Sequence, residues 1–317
     1  MLLKKIPAFI SLLVIITITI FLIPGITPAF PQSIPASGDK TSSEKKVTTD
    51  NDKKKSAEKE TQQKKTDPSK NETKPKEVMN DAKKAEKIES TLEYGIQKDR
   101  KIAITMIKDI KDEQIKNRLL QKLAFIIEND TDIDIRKTCV TAMGDHKAAG
   151  FSAVLIKALD DPAEDIQIAA CYAIGRIKAD QAKPKLVELF KKQDLTKDSN
   201  LTDSIISTLA DLGSNEILEN AVTAVKDIKS SKMVRERLLL YIGKTGSAAQ
   251  KDFLLEIYKN DDEDSVIRSY AIKSIAKLKL KESAPGIKEM LKEIDSYPFS
   301  KRKQYYDLYM HSVAALV

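Results

Sequence analysis

The sequence predicts an all-α fold, a right-handed α-solenoid of about five to six helical hairpins, and three observations carry that expectation. Apolar residues recur at three- and four-residue steps throughout 78–317, with no strand-like alternation of any length. The composition favours helices. Lys, Glu, Ile, Leu and Ala dominate, while Gly and Pro number only 10 and 11 in 317 residues, and Ala and straight-chain residues lose little rotamer freedom in a helix. Finally, one ten-residue pattern returns several times along the chain, which is how a repeat architecture announces itself.

Residues 1–36 read as a secretory signal peptide or an N-terminal membrane anchor. Lys4 and Lys5 precede an uncharged stretch from Ile6 to Gly38, most apolar over Phe9–Ile23, and a basic start before such a run suits either role. Thr27-Pro28-Ala29, after the Pro24-Gly25 break, offers small residues for cleavage, and Ala36 offers a second point. The length of the run favours retention instead, so both outcomes stay open. No Cys stands near to accept a lipid. Lys4, Lys5 and the free amine favour a cytoplasmic N-terminus. The rest of the chain is then extracytoplasmic or periplasmic, either soluble after cleavage or anchored by one transmembrane helix.

Residues 37–77 follow as a Lys-rich linker. Val47 is the only branched aliphatic residue there and aromatics are absent. So polar a segment cannot bury enough surface to offset its ordering entropy, which predicts disorder. A flexible chain of about 40 residues averages roughly 35 Å end to end.

Residues 78–317 carry the repeats. Ile135-Arg136-Lys137-Thr138-Cys139-Val140-Thr141-Ala142-Met143-Gly144 stands beside Ile166-Gln167-Ile168-Ala169-Ala170-Cys171-Tyr172-Ala173-Ile174-Gly175, 31 residues on. The frame returns with Val234, Leu238, Tyr241, Ile242 and Gly243, and again with Ile267, Ala271, Ser274, Ile275 and Ala276. A weaker copy ends at Leu212-Gly213, and a degenerate one spans Lys98 to Ile127. Each copy continues into a second apolar helix, as at Phe151–Leu159, Lys185–Phe190, Ile217–Val225, Phe253–Ile257 and Ile287–Leu291. The Gly that ends the pattern is expected to close the first helix in the left-handed conformation. Ala142 and Ala173 would let helices approach closely. Acidic turns such as Asp160-Asp161-Pro162 suit the positive end of the next helix dipole, with Pro162 in a tolerant first turn.

This pattern resembles HEAT repeats, and more closely the short bacterial HEAT-like repeats of the phycobilisome-lyase type. "IRKTCVTAMG", "IQIAACYAIG", "VRERLLLYIG" and "IRSYAIKSIA" carry the resemblance over about Glu93–Lys292. It implies second helices lining a concave face, where Lys157, Lys191, Lys192, Lys226 and Lys259 become candidate partner contacts. It also implies an inter-repeat Asp–Arg ladder involving Arg136, Arg235 and Arg268 with Asp134, Asp165 and Asp264. Some relatives have lyase activity on bilins, and the repeats alone do not transfer that activity.

Little in the sequence points to catalysis. The two histidines, His146 and His311, lie far apart without a Cys/His cluster, so neither reads as a metal ligand. Cys139 and Cys171 occupy nearly equivalent places in adjacent first helices, whose axes stand about 8–10 Å apart, so buried thiols are expected rather than a disulfide. Walker, GxGxxG, serine-elbow and HExxH patterns are missing. The net charge of +7 arises from 54 basic and 47 acidic residues mixed along the chain, which argues for a solvated surface and against a nucleic-acid partner. Lys301-Arg302-Lys303-Gln304-Tyr305-Tyr306 with Tyr309 reads as the amphipathic terminal cap that a solenoid needs. The expected function is therefore an exported or membrane-tethered scaffold or adaptor that binds a protein, with no cofactor and no enzymatic activity. The alternatives are a lyase-type enzyme or enzyme subunit built on HEAT-like repeats, and a polyanion- or nucleic-acid-binding solenoid.

Overall fold

The computed structural model describes residues 79–317, so the expectations for 1–36 and 37–77 lie outside the described residues. All regular structure there is helical. After α1 (Asp81–Tyr94) come six hairpins: α2 (Gln97–Met106) with α3 (Glu113–Asn129), α4 (Ile133–Asp145) with α5 (Ser152–Lys157), and α6 (Glu164–Ile177) with α7 (Lys183–Lys191). The series continues through α8 (Asn200–Asp211) with α9 (Leu218–Lys226), α10 (Lys232–Thr245) with α11 (Lys251–Lys259), and α12 (Ser265–Lys277) with α13 (Ala284–Ser296). The short α14 (Phe299–Arg302) and α15 (Tyr306–Ala314) end the chain. None of these helices is long and apolar enough to cross a membrane.

First helices α2, α4, α6, α8, α10 and α12 stack in succession, and each second helix packs against the first helix of the next hairpin. This is the expected all-α solenoid. Its core is one continuous apolar cluster, fed by the frame residues Ile135, Cys139, Ile166, Ile174, Val234, Leu238, Ile242, Ile267, Ala271 and Ile275, all buried. Hydrophilic side chains start the helices. Asp112, Asp132 and Asp264 accept hydrogen bonds from backbone N–H groups of the first turns of α3, α4 and α12, and Ser199 and Ser231 do so for α8 and α10. Each satisfies a donor that the helix itself leaves unpaired. Pro162 stands just before the N-cap Ala163 rather than in the first turn. Pro184 and Pro285 do occupy the first turns of α7 and α13.

The frame glycines play a different part from the one expected. Gly144, Gly175 and Gly243 lie inside α4, α6 and α10 with ordinary helical backbone. A methyl group on Gly144 would stand 2.8 Å from the Ala173 Cα, and one on Gly243 would stand 2.9 Å from the Ser274 Cα. The missing side chain therefore lets adjacent first helices touch backbone to backbone. The left-handed turn comes three residues later, at Lys147 (φ 50°), Lys178 (φ 55°) and Lys279 (φ 55°). Gly213 (φ 63°) holds that same place after α8, so Ala210, not Gly213, occupies the frame's last position there. The eighth frame position of one repeat also bonds to the previous one: Thr208 donates to the Cys171 carbonyl (3.1 Å) and Ser274 to the Leu239 carbonyl (2.6 Å). Ile102 is half exposed, whereas Ile107 and Ile110 are buried.

Candidate partner-binding surface

Three sets of charged contacts cross from repeat to repeat. The innermost uses the second frame position. Arg136 grips Asp161 through Nε and Nη2, both at 3.1 Å, and its Nη1 donates to the Asp130 carbonyl (2.8 Å). Arg235 holds Glu263 (3.0 and 2.5 Å) and the Val225 carbonyl (2.8 Å), and Arg100 pairs with Asp130. Arg268, almost fully buried, pairs with Asp261 (2.8 Å) of the turn before its own helix. An arginine ladder therefore exists, but its acids come from the inter-repeat turns. Asp134, Asp165 and Asp264 instead bind Lys101 (2.8 Å), Lys137 (2.6 Å) and Lys232 (2.9 Å) in a second row along the first helices. The planar guanidinium suits this role, because it serves a carboxylate and a carbonyl together.

The third row joins second helices and contains most of the lysines singled out as candidate contacts. Lys157 pairs with Glu128 (2.9 Å), Lys226 with Glu256 (2.9 Å) and Lys259 with Glu289 (2.8 Å). Lys192, the C-cap of α7, binds Glu188 of that helix (2.5 Å), and Lys191 is exposed with no ion pair among the described residues. Glu89 with Arg118 (3.0 Å) and Asp160 with Lys185 (2.7 Å) complete the row, which places α1 in the second-helix layer. The Asp160 hydrogen bond raises the Lys185 pKa. Pairs this exposed contribute at most about 1 kcal/mol each. Their effect is to hold register while presenting mixed charge.

A groove of about 740 Å³ opens in this layer between α1 and α3. Phe125 stands in it 67% exposed. The reason is helical geometry: α3 buries Leu119, Leu120, Leu123 and Ile127 on one stripe, and residue 125 lies two positions from both 123 and 127, on the far side of the helix. Leu92, Ile126 and the stem of Lys122 extend the apolar wall, while Glu93, Arg118 and Asn129 edge it. Arg100 reaches the floor, where its Nε is buried without a hydrogen-bond partner although its other end is held by Asp130. The Glu89–Arg118 contact is close but lacks hydrogen-bond geometry, leaving Glu89 Oε1 an unsatisfied acceptor in the same wall. A recess with one exposed aromatic, an apolar wall and charged edges suits an extended peptide segment. The sequence reading had not included Phe125; its off-stripe position was the available signal.

A second cavity, about 590 Å³, lies between α2 and α4 and includes Lys101, Lys108, Asp134, Lys137, Asp145 and His146. Its hydroxyl protons are already used, since Thr105, Thr138 and Thr141 donate to the Ile102, Asp134 and Lys137 carbonyls. His146 ends α4 as its C-cap, and burial, then Lys116, lower its pKa. No group of three or more His, Cys, Asp or Glu side chains able to hold a metal occurs among the described residues. Cys139 and Cys171 are buried free thiols, as expected, and burial pushes each to a pKa of about 12.

A family profile for HEAT repeats matches residues 120–199, from α3 through the turn before α8. Over these residues the chain carries HEAT repeats. Among solved structures it is similar to the complex of CpcE and CpcF of phycocyanin lyase from Nostoc sp. PCC7120, at 14% identity and a TM-score of 0.45, over 80% of this chain and 100% of that one. An engineered protein is similar at 18% identity and a TM-score of 0.42, over 75% and 71% of the two chains. A designed armadillo repeat protein follows at 17% identity and 0.32, over 73% and 99%. Among curated proteins none matches the sequence. The resemblance read from the sequence is borne out in the repeats themselves.

Proposed function

We propose that this HEAT-repeat protein is a non-catalytic scaffold, displayed outside the cytoplasm, that holds a protein partner by an extended segment in the α1–α3 groove. The observation that carries the reading is Phe125, a large aromatic exposed inside a recess whose wall also includes Glu89, Arg100 and Arg118. Buried aromatic anchors dominate the energetics of interfaces, and exposed rim charges add little. That weighting favours Phe125 over Lys157, Lys192, Lys226 and Lys259, which are already paired. Lys191 remains a candidate rim contact. Display outside the cytoplasm rests on Lys4, Lys5 and the uncharged stretch from Ile6 to Gly38.

The test is the affinity of the purified partner for the wild-type chain and for Phe125→Ala. A loss of roughly tenfold or more is expected for a central anchor; unchanged affinity removes the groove from the interface. Fractionation with N-terminal sequencing tests the display. A mature start at Phe30 or Ser37 means release by cleavage, an intact Met1 in the membrane fraction means anchoring, and an intact soluble chain overturns export.

A further inference from the structure

The basic and aromatic C-terminal segment is only half used by the cap. Tyr305 lies 5.8 Å from the Arg268 guanidinium and 5.3 Å from the Tyr297 ring. Leu308 and Ser312 are buried, with the Ser312 hydroxyl 2.8 Å from that of Tyr258 in α11. Phe299 and Tyr306 take no part in this packing; they are 87% and 52% exposed. Between Asp295 and Asp307 the chain carries Lys301, Arg302 and Lys303 and no acid. Lys301 sits over the Tyr297 ring (3.7 Å) and Arg302 donates to the Tyr297 carbonyl (2.8 Å). Both cations are thereby held at the surface, while Lys303 is exposed and makes no ion pair among the described residues.

We propose that this end of the solenoid docks on an anionic lipid surface, with Phe299 entering the headgroup–acyl boundary and Lys301, Arg302 and Lys303 facing the lipid phosphates. The charge is complementary to an anionic bilayer. Phe299 projects from the cap and lines none of the cavities described above, so it presents a point rather than a recess. A protruding apolar ring followed two to four residues later by three exposed cations matches a soft interface into which it can sink. It matches less well a folded acidic partner, which would need a pocket of its own, or a nucleic acid, which needs a platform on which bases stack.

The chain contains no Trp, so Phe299→Trp places a single reporter at the contact in the full-length protein. Its signal is local, so insertion of the N-terminal segment cannot mimic it. With vesicles of mixed phosphatidylcholine and phosphatidylglycerol, the emission should shift to the blue and be quenched by brominated lipid. Pure phosphatidylcholine should give neither effect, and high salt should reverse both. Lys303→Glu in the same background should require roughly tenfold more lipid for the same shift. A control, Tyr94→Trp, reports from the exposed residue at the end of α1 and should not respond. No shift with anionic vesicles overturns the proposal. So does an equal response to pure phosphatidylcholine, or a response to RNA or heparin without one to vesicles.

Discussion

Replacing each frame glycine by alanine should divide the three otherwise similar positions by sign. In a helix interior Gly→Ala gains roughly 0.8–1 kcal/mol from reduced backbone entropy, and Gly144, Gly175 and Gly243 all lie within helices. What differs is the space. A Cβ at Gly175 would meet only Asp211 Oδ2 at 3.8 Å and Thr208 Cγ2 at 3.9 Å, an ordinary contact. At Gly144 and Gly243 it would meet backbone Cα atoms at 2.8 and 2.9 Å, which requires two first helices to separate. Overpacking of that kind costs about 1–3 kcal/mol. Gly175→Ala is therefore expected to be more stable than wild type by up to about 1 kcal/mol. Gly144→Ala and Gly243→Ala should fall below Gly175→Ala by about 1–3 kcal/mol. Urea unfolding followed by far-ultraviolet circular dichroism reads this contrast, provided the slopes match. If all three variants move together, the close approach of first helices is not what these glycines provide.

Other perturbations probe the ladders, the turns and the core. Arg235 and Glu263 are both nearly buried, so Arg235→Ala should cost about 3 kcal/mol by stranding the carboxylate, whereas Lys259→Ala, in an exposed pair, should stay within about 0.5 kcal/mol; thermal melts compare them. Lys279 is held at φ 55°, and Lys279→Gly should raise stability by up to about 1 kcal/mol in the same melts. The Cys139 and Cys171 thiols, with pKa values of about 12, should resist a thiol reagent at pH 8 until the protein unfolds. Because burial raises both pKa values, their stabilising contribution is complete below the ordinary thiol pKa. It should diminish as pH climbs towards 12, which alkaline unfolding titrations can follow.

The repeat fold was legible because each copy repeats its core pattern independently. Ile135, Ile166, Val234 and Ile267 all mark the same buried place, so no single deviation obscures it. The roles of individual frame residues were less legible. A glycine near a helix end can serve a left-handed turn or a close contact, and sequence spacing does not separate those uses. Only the adjoining helix, with Ala173 opposite Gly144 and Ser274 opposite Gly243, decides between them. Ladder partners were mistaken for a related reason. Asp134 and Asp161 are both near Arg136 in a repeat diagram, but the guanidinium reaches Asp161 while Asp134 faces Lys101. At the candidate site, attention to charge favoured five lysines, of which Lys157, Lys226 and Lys259 prove to be paired across repeats. It passed over Phe125, which breaks the apolar period of α3.

Position-resolved crosslinking tests the proposed scaffold most directly. A photoreactive side chain is placed in turn at Phe125 in the groove, at Lys191 on the second-helix layer and at Tyr172, which is exposed on α6 of the first-helix layer. Irradiation of intact cells is expected to give one discrete protein adduct at position 125, a weaker one or none at 191, and none at 172. Its yield should fall when unlabelled partner segment is supplied in excess. An adduct concentrated at 172, or equal yields at all three positions, would contradict the α1–α3 groove as the binding surface.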